Sequence, residues 1–267
     1  MLDALAIAIL CLVPGQVERP DVPAEKVAFA DLSADERLEL LKKEAAKYSL
    51  FVDSEDSEKL VLAEPVLRFN DNVSGVIDAV QLLWLRDKRP QATASFWRRK
   101  DGLIAHEFQS LSESRVLAKR DDKAVWHPLA PGVEPKPLDG APNPANSAPG
   151  RLSQMRAAAR QFSAAVVNQS GNRSLRLLSQ PVSCHGEENA AVLDAGWFVF
   201  AKGTNPELML LIEARRGDDN SYAWHYSPVR MTSAACELKR DDSVVWRVER
   251  NRGELPDGTY FNIYARE

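Results

Sequence analysis

From Ala34 to Phe51 the apolar positions Leu38, Leu41, Ala45 and Tyr48 fall three, four and three residues apart, the spacing of one helix face. Ser33-Ala34-Asp35-Glu36 ahead of them reads as a capping box, with Ser33 accepting from the Glu36 backbone N–H and Glu36 reaching back. The same spacing returns at Leu152, Met155, Ala159 and Phe162 and predicts a second helix from Leu152 to about Val167. After each predicted helix the pattern becomes strand-like. Segments 60–69, 75–85, 91–98, 103–111 and 116–126 follow the first, and 174–184, 191–202, 207–215, 221–226 and 231–246 the second. Short turns such as Lys100-Asp101-Gly102 between them imply antiparallel neighbours. Tyr260 to Tyr264 is one more strand, with no certain counterpart.

The central strands are apolar on both alternation classes. Leu193, Ala195, Trp197 and Val199 lie on one side of their strand, Phe198 and Phe200 on the other, and Leu208 to Ile212 is apolar throughout. A strand with one face in water should alternate. Both faces are therefore expected to be covered: one by a helix, the other by the sister domain, a second chain or an apolar ligand.

Lys119-Arg120-Asp121-Asp122-Lys123-Ala124-Val125-Trp126 recurs as Lys239-Arg240-Asp241-Asp242-Ser243-Val244-Val245-Trp246, with six identities at a spacing of 120. Pro65-Val66, Asp78-Ala79 and Pro90 match Pro181-Val182, Asp194-Ala195 and Pro206 at 116, and Ala105 matches Ala223 at 118. The spacing changes only in polar stretches, where loops absorb insertions. The expected fold is therefore α+β, a tandem duplication in which each unit has one N-terminal helix packed on an antiparallel sheet of about five or six strands. The units are placed at 33–127 and 151–267. Between them, 128–150 holds seven of the sixteen prolines and reads as an extended linker.

The composition is that of globular protein, 45% hydrophobic and 27% charged, and a formal net charge of −4 with no strongly basic region argues against nucleic acid as a partner. Residues 1–16 contain an apolar run from Ala4 to Val13, too short to span a bilayer and suited to a signal peptide, although Asp3 stands where a positive charge is usual. This implies an exported protein, periplasmic or extracellular, with no stable transmembrane segment; if the run is not a signal, the protein is cytoplasmic. Cys184 and Cys236 would then remain, either bridged or as free thiols.

Candidate chemistry is sparse. The repeated Asp pairs could hold a divalent cation, but turn chemistry explains them fully, since Asp favours turns and Trp anchors the next strand. No His pair has zinc-site spacing, so neither a metal site nor a cofactor is expected. At the 118 spacing Glu107 aligns with His225, and packing of the two units could bring them together as an acid–base pair. Arg98-Arg99 aligns with Arg215-Arg216 at 117, and these arginines could bind an anion as readily as stand solvated at strand ends. There is no Gly-x-Ser-x-Gly, no cysteine-protease signature and no phosphate loop.

His106-Glu107-Phe108-Gln109-Ser110-Leu111, Ala130-Pro131-Gly132-Val133-Glu134, Gln154-Met155-Arg156 and Leu211-Ile212-Glu213-Ala214-Arg215 together resemble a group of predicted exported proteins from planctomycete bacteria. The resemblance implies an exported, bacterial setting and no particular activity. The expected function is a non-catalytic exported protein that binds a protein partner or a small apolar ligand. The alternative is a hydrolase or metal-dependent enzyme with its site between the units.

Overall fold

The computed structural model describes residues 28–168 and 171–266, so the expected signal segment 1–16 lies outside the described residues. The first half runs α1 (Ala34–Ala46), β1 (Tyr48–Val52), β2 (Val61–Leu62), β3 (Leu67–Asp71), β4 (Val76–Arg86), β5 (Arg89–Arg98), β6 (Ile104–Ser110), β7 (Val116–Arg120) and β8 (Lys123–Trp126). The short β9 (Lys136–Pro137) follows. The second half runs α2 (Ala148–Ala159), β10 (Phe162–Val167), β11 (Arg173–Leu177), β12 (Ser183–His185), β13 (Val192–Lys202), β14 (Asn205–Arg216), β15 (Tyr222–Arg230), β16 (Ala235–Arg240), β17 (Ser243–Val248) and β18 (Tyr260–Ala265).

The expected α+β fold, a duplication with one helix on a five- or six-stranded sheet in each unit, is not what forms. The described residues are mostly β, 49% strand against 11% helix, with two helices among them and large curled sheets. Among the described residues the strands form three sheets, of three, nine and six strands. The predicted helices are too long because their last apolar residues belong to strands. The capping box at Ser33 and Glu36 starts α1, but α1 stops at Ala46 and Tyr48 pairs with Arg120 across β1 and β7. Phe162 likewise pairs with Arg240 across β10 and β16. Tyr, Phe and Val favour the pleated surface over the helix. Their spacing from the preceding helical residues cannot tell the two apart.

α1 packs Leu41 and Ala45 on Val80, Leu82, Trp84, Phe96 and Phe108 of β4, β5 and β6. α2 packs Met155 and Ala159 on Phe198, Phe200, Leu210 and Ile212 of β13 and β14. A third cluster lies between the two sheets. Leu83 of β4 joins Trp197 and Val199 of β13, Met209 and Leu211 of β14, and Val229 of β15. The second apolar face of the central strands is thus covered by the other half of the same chain. Trp197, Val199, Met209 and Leu211 are essentially buried. Each contributes on the order of 2 kcal/mol by the area it removes from water.

The chain also crosses between halves at its edges. β9 pairs with β15, His225 opposite Pro137, and β18 runs along β6 from Tyr260 opposite Gln109 to Ala265 opposite Ile104. The tail strand without a counterpart is therefore the edge strand of the first half's sheet. Trp126 Nε1 donates to Gly258 O at 2.8 Å beside it. The 128–150 segment is more than a spacer, because Val133 is buried between the sheets and Leu138 in the second core. Its helix also begins earlier than 151, at Ala148 behind the N-cap Ser147.

The repeated word forms matching hairpins. Asp121 and Asp122 have φ of 48° and 62°, and Asp241 and Asp242 have 48° and 64°, the left-handed pair of a tight hairpin turn. Both β7 and β16 carry a register shift just before the turn, at Ala118/Lys119 and Leu238/Lys239.

Candidate functional site

The antiparallel register lines up a polar row across the face of the first sheet that meets the second. Gln81 of β4 is opposite Ser95 of β5, Ser95 is opposite Glu107 of β6, and Glu107 is opposite Asn262 of β18. Gln81, Ser95 and Glu107 are buried. Gln81 Oε1, Ser95 Oγ and Asn262 Oδ1 are enclosed yet have no hydrogen-bond partner. Gln81 Nε2 is satisfied by Thr93 Oγ1 at 3.1 Å and by Met209 Sδ of the opposite sheet at 3.1 Å. Buried polar atoms without partners cost free energy and are few in native folds. Three of them lie along this one row.

The row ends in a cavity of about 270 Å³ built by both halves. Phe69, Asp71, Trp97, Glu107, Asn262 and Tyr264 line it from the first sheet, including its β18 edge, and Lys202, Asn205, Glu207 and Thr232 from the second half. Asp71 meets Lys202 at 2.9 Å. Burial pushes the Asp71 carboxyl up, but the hydrogen bonds from Lys202 and Ser74 outweigh it and hold it below the usual carboxylate range. Glu207 takes Asn205 Nδ2 at 3.1 Å and lies 3.7 Å from Lys202 Nζ, and burial nonetheless raises its carboxyl. Glu107 is 8% exposed and accepts from the Tyr260 hydroxyl on Oε1. Burial pushes Glu107 up to about 8; the Tyr260 hydrogen bond works against this and the neighbouring Glu207 adds to it. Glu107 is then largely a neutral acid at pH 7. Arg230, also buried, stacks 4.9 Å over the Tyr260 ring. Its guanidinium donates to the backbone carbonyls of Thr232, Glu249 and Ala234 at 2.8, 3.0 and 2.6 Å.

A second polar cluster ties the halves together elsewhere on the seam. Arg215 makes a bidentate pair with Glu113, at 2.6 and 2.9 Å, and reaches Glu213 at 2.8 Å. Arg89 joins Glu113 at 2.5 Å and Glu213 at 3.6 Å. His185 is buried with no hydrogen-bond partner on either ring nitrogen, and burial lowers it to about 4, so it stays neutral.

The sequence-predicted residues separate under this geometry. Glu107 belongs to the cavity. His225 does not: it sits in the register position opposite Glu213 and Pro137, half-buried, with Nδ1 3.2 Å from the carbonyl of Ala223. The expected Glu107–His225 pair fails because the β14–β15 hairpin is paired further out, to Arg216 opposite Tyr222, than the β5–β6 hairpin, which ends at Arg98 opposite Ile104. Matching Pro90 with Pro206 at 116 puts Ser95 with Leu211, whose cross-strand partners are Glu107 and Ser227. Ser227, not His225, therefore holds the position of Glu107. Arg215 is committed to Glu113 and Glu213, so it is a strut rather than an anion site. Arg216 lies 5.3 Å over the Tyr222 ring and donates to its hydroxyl. Arg99 pairs with Asp101 at 2.9 Å and stacks 4.5 Å over Tyr264, and Arg98 stacks 5.6 Å over Phe29. The Asp pairs of the repeated word are exposed at their turns, and among the described residues no group of three or more His, Cys, Asp or Glu is placed to hold a metal ion. Cys184 and Cys236 are both free, the first exposed and the second buried.

Sequence reasoning missed Asp71, Lys202, Glu207 and Asn262. Glu207 carried a usable signal: it is a carboxylate leading directly into the wholly apolar run Leu208 to Ile212, where both faces are covered. No family of proteins, no characterised protein and no solved structure matches the chain. Among the described residues no helix is long and apolar enough to cross a membrane.

Proposed function

We propose that the protein is a non-catalytic binding protein, exported by its bacterium, that holds a small polar ligand in the cavity between its two halves. The observation that carries this reading is Glu107. It is nine-tenths buried, lines a cavity built by both halves, and among the described residues has a hydrogen bond on one carboxyl oxygen only. An apolar ligand loses its motive, because the apolar faces that needed cover are spent against each other.

One observation favours the hydrolase reading. A carboxyl held protonated near neutral pH in a cavity is what a general acid requires. The two readings part on one experiment. Native mass spectrometry of the full chain should show a non-covalent small-molecule adduct that is lost on unfolding. Ester, phosphoester, glycoside and peptide substrates should show no turnover. Turnover abolished by Glu107→Gln would overturn the binding reading and establish the enzyme.

A further inference from the structure

Resting on that binding reading, we infer that the cavity takes a small organic ammonium ion, its N–H groups donating to the open oxygen of Glu107 and to Asn262 Oδ1, with Trp97 and Tyr264 as walls.

The cavity offers acceptors and lacks a matched cation. Asn262 Nδ2 already donates to the Tyr264 hydroxyl at 3.1 Å, which leaves Oδ1 as the enclosed atom without a partner. Glu107 has one carboxyl oxygen taken by Tyr260 and, among the described residues, no hydrogen bond on the other. An incoming cation that takes the place of the Glu107 proton can donate at both points. The charges agree. Three carboxyls, Asp71, Glu107 and Glu207, line the space with one lysine. Lys202 is committed to Asp71 and lies farther from Glu207. Arg230 is near, but three of its five N–H groups hold it to backbone carbonyls. With Glu107 protonated, two carboxylates meet two cations; a guest ammonium that displaces the Glu107 proton leaves three negative charges facing three positive ones, so the balance is kept.

The walls fit an organic cation better than a metal. Phe69, Trp97 and Tyr264 supply aromatic surface, which attracts ammonium groups. Arg99 already occupies a face of Tyr264 from the rim, and its own charge is met by Asp101. A divalent ion needs several hard ligands converging, and the described residues do not provide such a group. The cavity, about 270 Å³, lies at the small end of ligand pockets. Burial keeps the proton on Glu107 at pH 7; a bound ammonium would ionise it, and that proton would pass to the buffer.

Isothermal titration calorimetry at pH 7 on the full chain tests this, with n-butylammonium chloride, choline chloride, n-butanol and magnesium chloride as probes. Each titration is run in two buffers of different protonation enthalpy. The expected result is saturable binding of n-butylammonium at one site, at least about tenfold tighter than n-butanol, with release of up to about one proton per ligand. Glu107→Gln should weaken it at least about tenfold and abolish the proton release. Asn262→Asp, on the edge strand, should tighten it, which keeps the test decisive if Glu107→Gln folds poorly. Binding of n-butanol as tight as that of n-butylammonium would overturn the inference. So would binding of magnesium alone, or an Asn262→Asp variant that leaves ammonium affinity unchanged. A neutral or anionic adduct found by native mass spectrometry would sink the ammonium assignment while leaving the binding role in place.

Discussion

Replacing Glu107 by Gln should reshape how stability depends on pH. Glu107 is 8% exposed, and burial raises its carboxyl from an ordinary 4.5 to about 8. A folded-state value above the unfolded one means that the native state holds a proton the unfolded chain releases. The stabilisation is complete below 4.5 and is lost as pH rises to about 8. The slope cannot exceed about 1.4 kcal/mol per pH unit. Across the whole window the loss is on the order of 5 kcal/mol, and between pH 6.5 and 8 about 2 kcal/mol. His106 and His185 act on the acid side. Burial lowers them from 6.5 to about 3 and about 4, so they add stability above 6.5 that is lost as pH falls. Stability of the natural protein should therefore peak near pH 6.5 and fall on both sides. Glu107→Gln keeps the shape of the neutral acid and removes its titration. Urea unfolding from pH 5 to 8.5 measures both proteins. The natural protein should lose about 2 kcal/mol more than the variant between pH 6.5 and 8. Glu207, whose carboxyl is also raised, titrates in both, so the difference isolates Glu107. Parallel profiles for the two proteins would refute the buried neutral acid.

Arg215→Ala should destabilise by about 3 kcal/mol, because it leaves the fully buried Glu213 with only the longer contact to Arg89; a loss under about 0.5 kcal/mol in urea unfolding would show that the cluster is not a strut. Asp122→Gly and Asp242→Gly should be neutral or stabilising within about 1 kcal/mol, since glycine accepts the positive φ at both turns, and calcium should leave the melting temperature of the natural protein unchanged. A calcium-dependent rise lost in these variants would return the repeated word to cation binding.

What could be read in the sequence was whatever depends on short-range chemistry. Ser33 and Glu36 announce the start of α1, and paired Asp residues followed by Trp announce the hairpins at 121 and 241. The two-face apolar run around Trp197 and Phe198 stated that a cover was needed, and the cover is the seam. The fold class was misread where Tyr48 and Phe162 continue a helical spacing into strands; three-residue and four-residue steps over so few positions do not separate the two. The Glu107–His225 pairing was misread because the spacing drifts from 116 to 120 within one hairpin, whose strands are longer in the second half, and a strand register moves a side chain to a different neighbour with each residue. The cavity was hidden for another reason. Asp71, Lys202, Glu207 and Asn262 meet only when the two sheets pack and β18 returns to β6, contacts between chain segments too distant for local pattern to encode.

The central claim is that the two halves form one body, sealed by an apolar seam and by edge strands that each half places on the other. It is tested most directly by cutting between them. A specific protease sequence inserted after Gly140, which has open space around it, lies beyond β9 and before α2. Cleavage there would leave β9 with the first half and β18 with the second. After cleavage, size exclusion with light scattering in the absence of denaturant should still give one peak at the mass of the intact chain, 29.7 kDa plus the insert. Two soluble, folded fragments eluting separately would contradict the account.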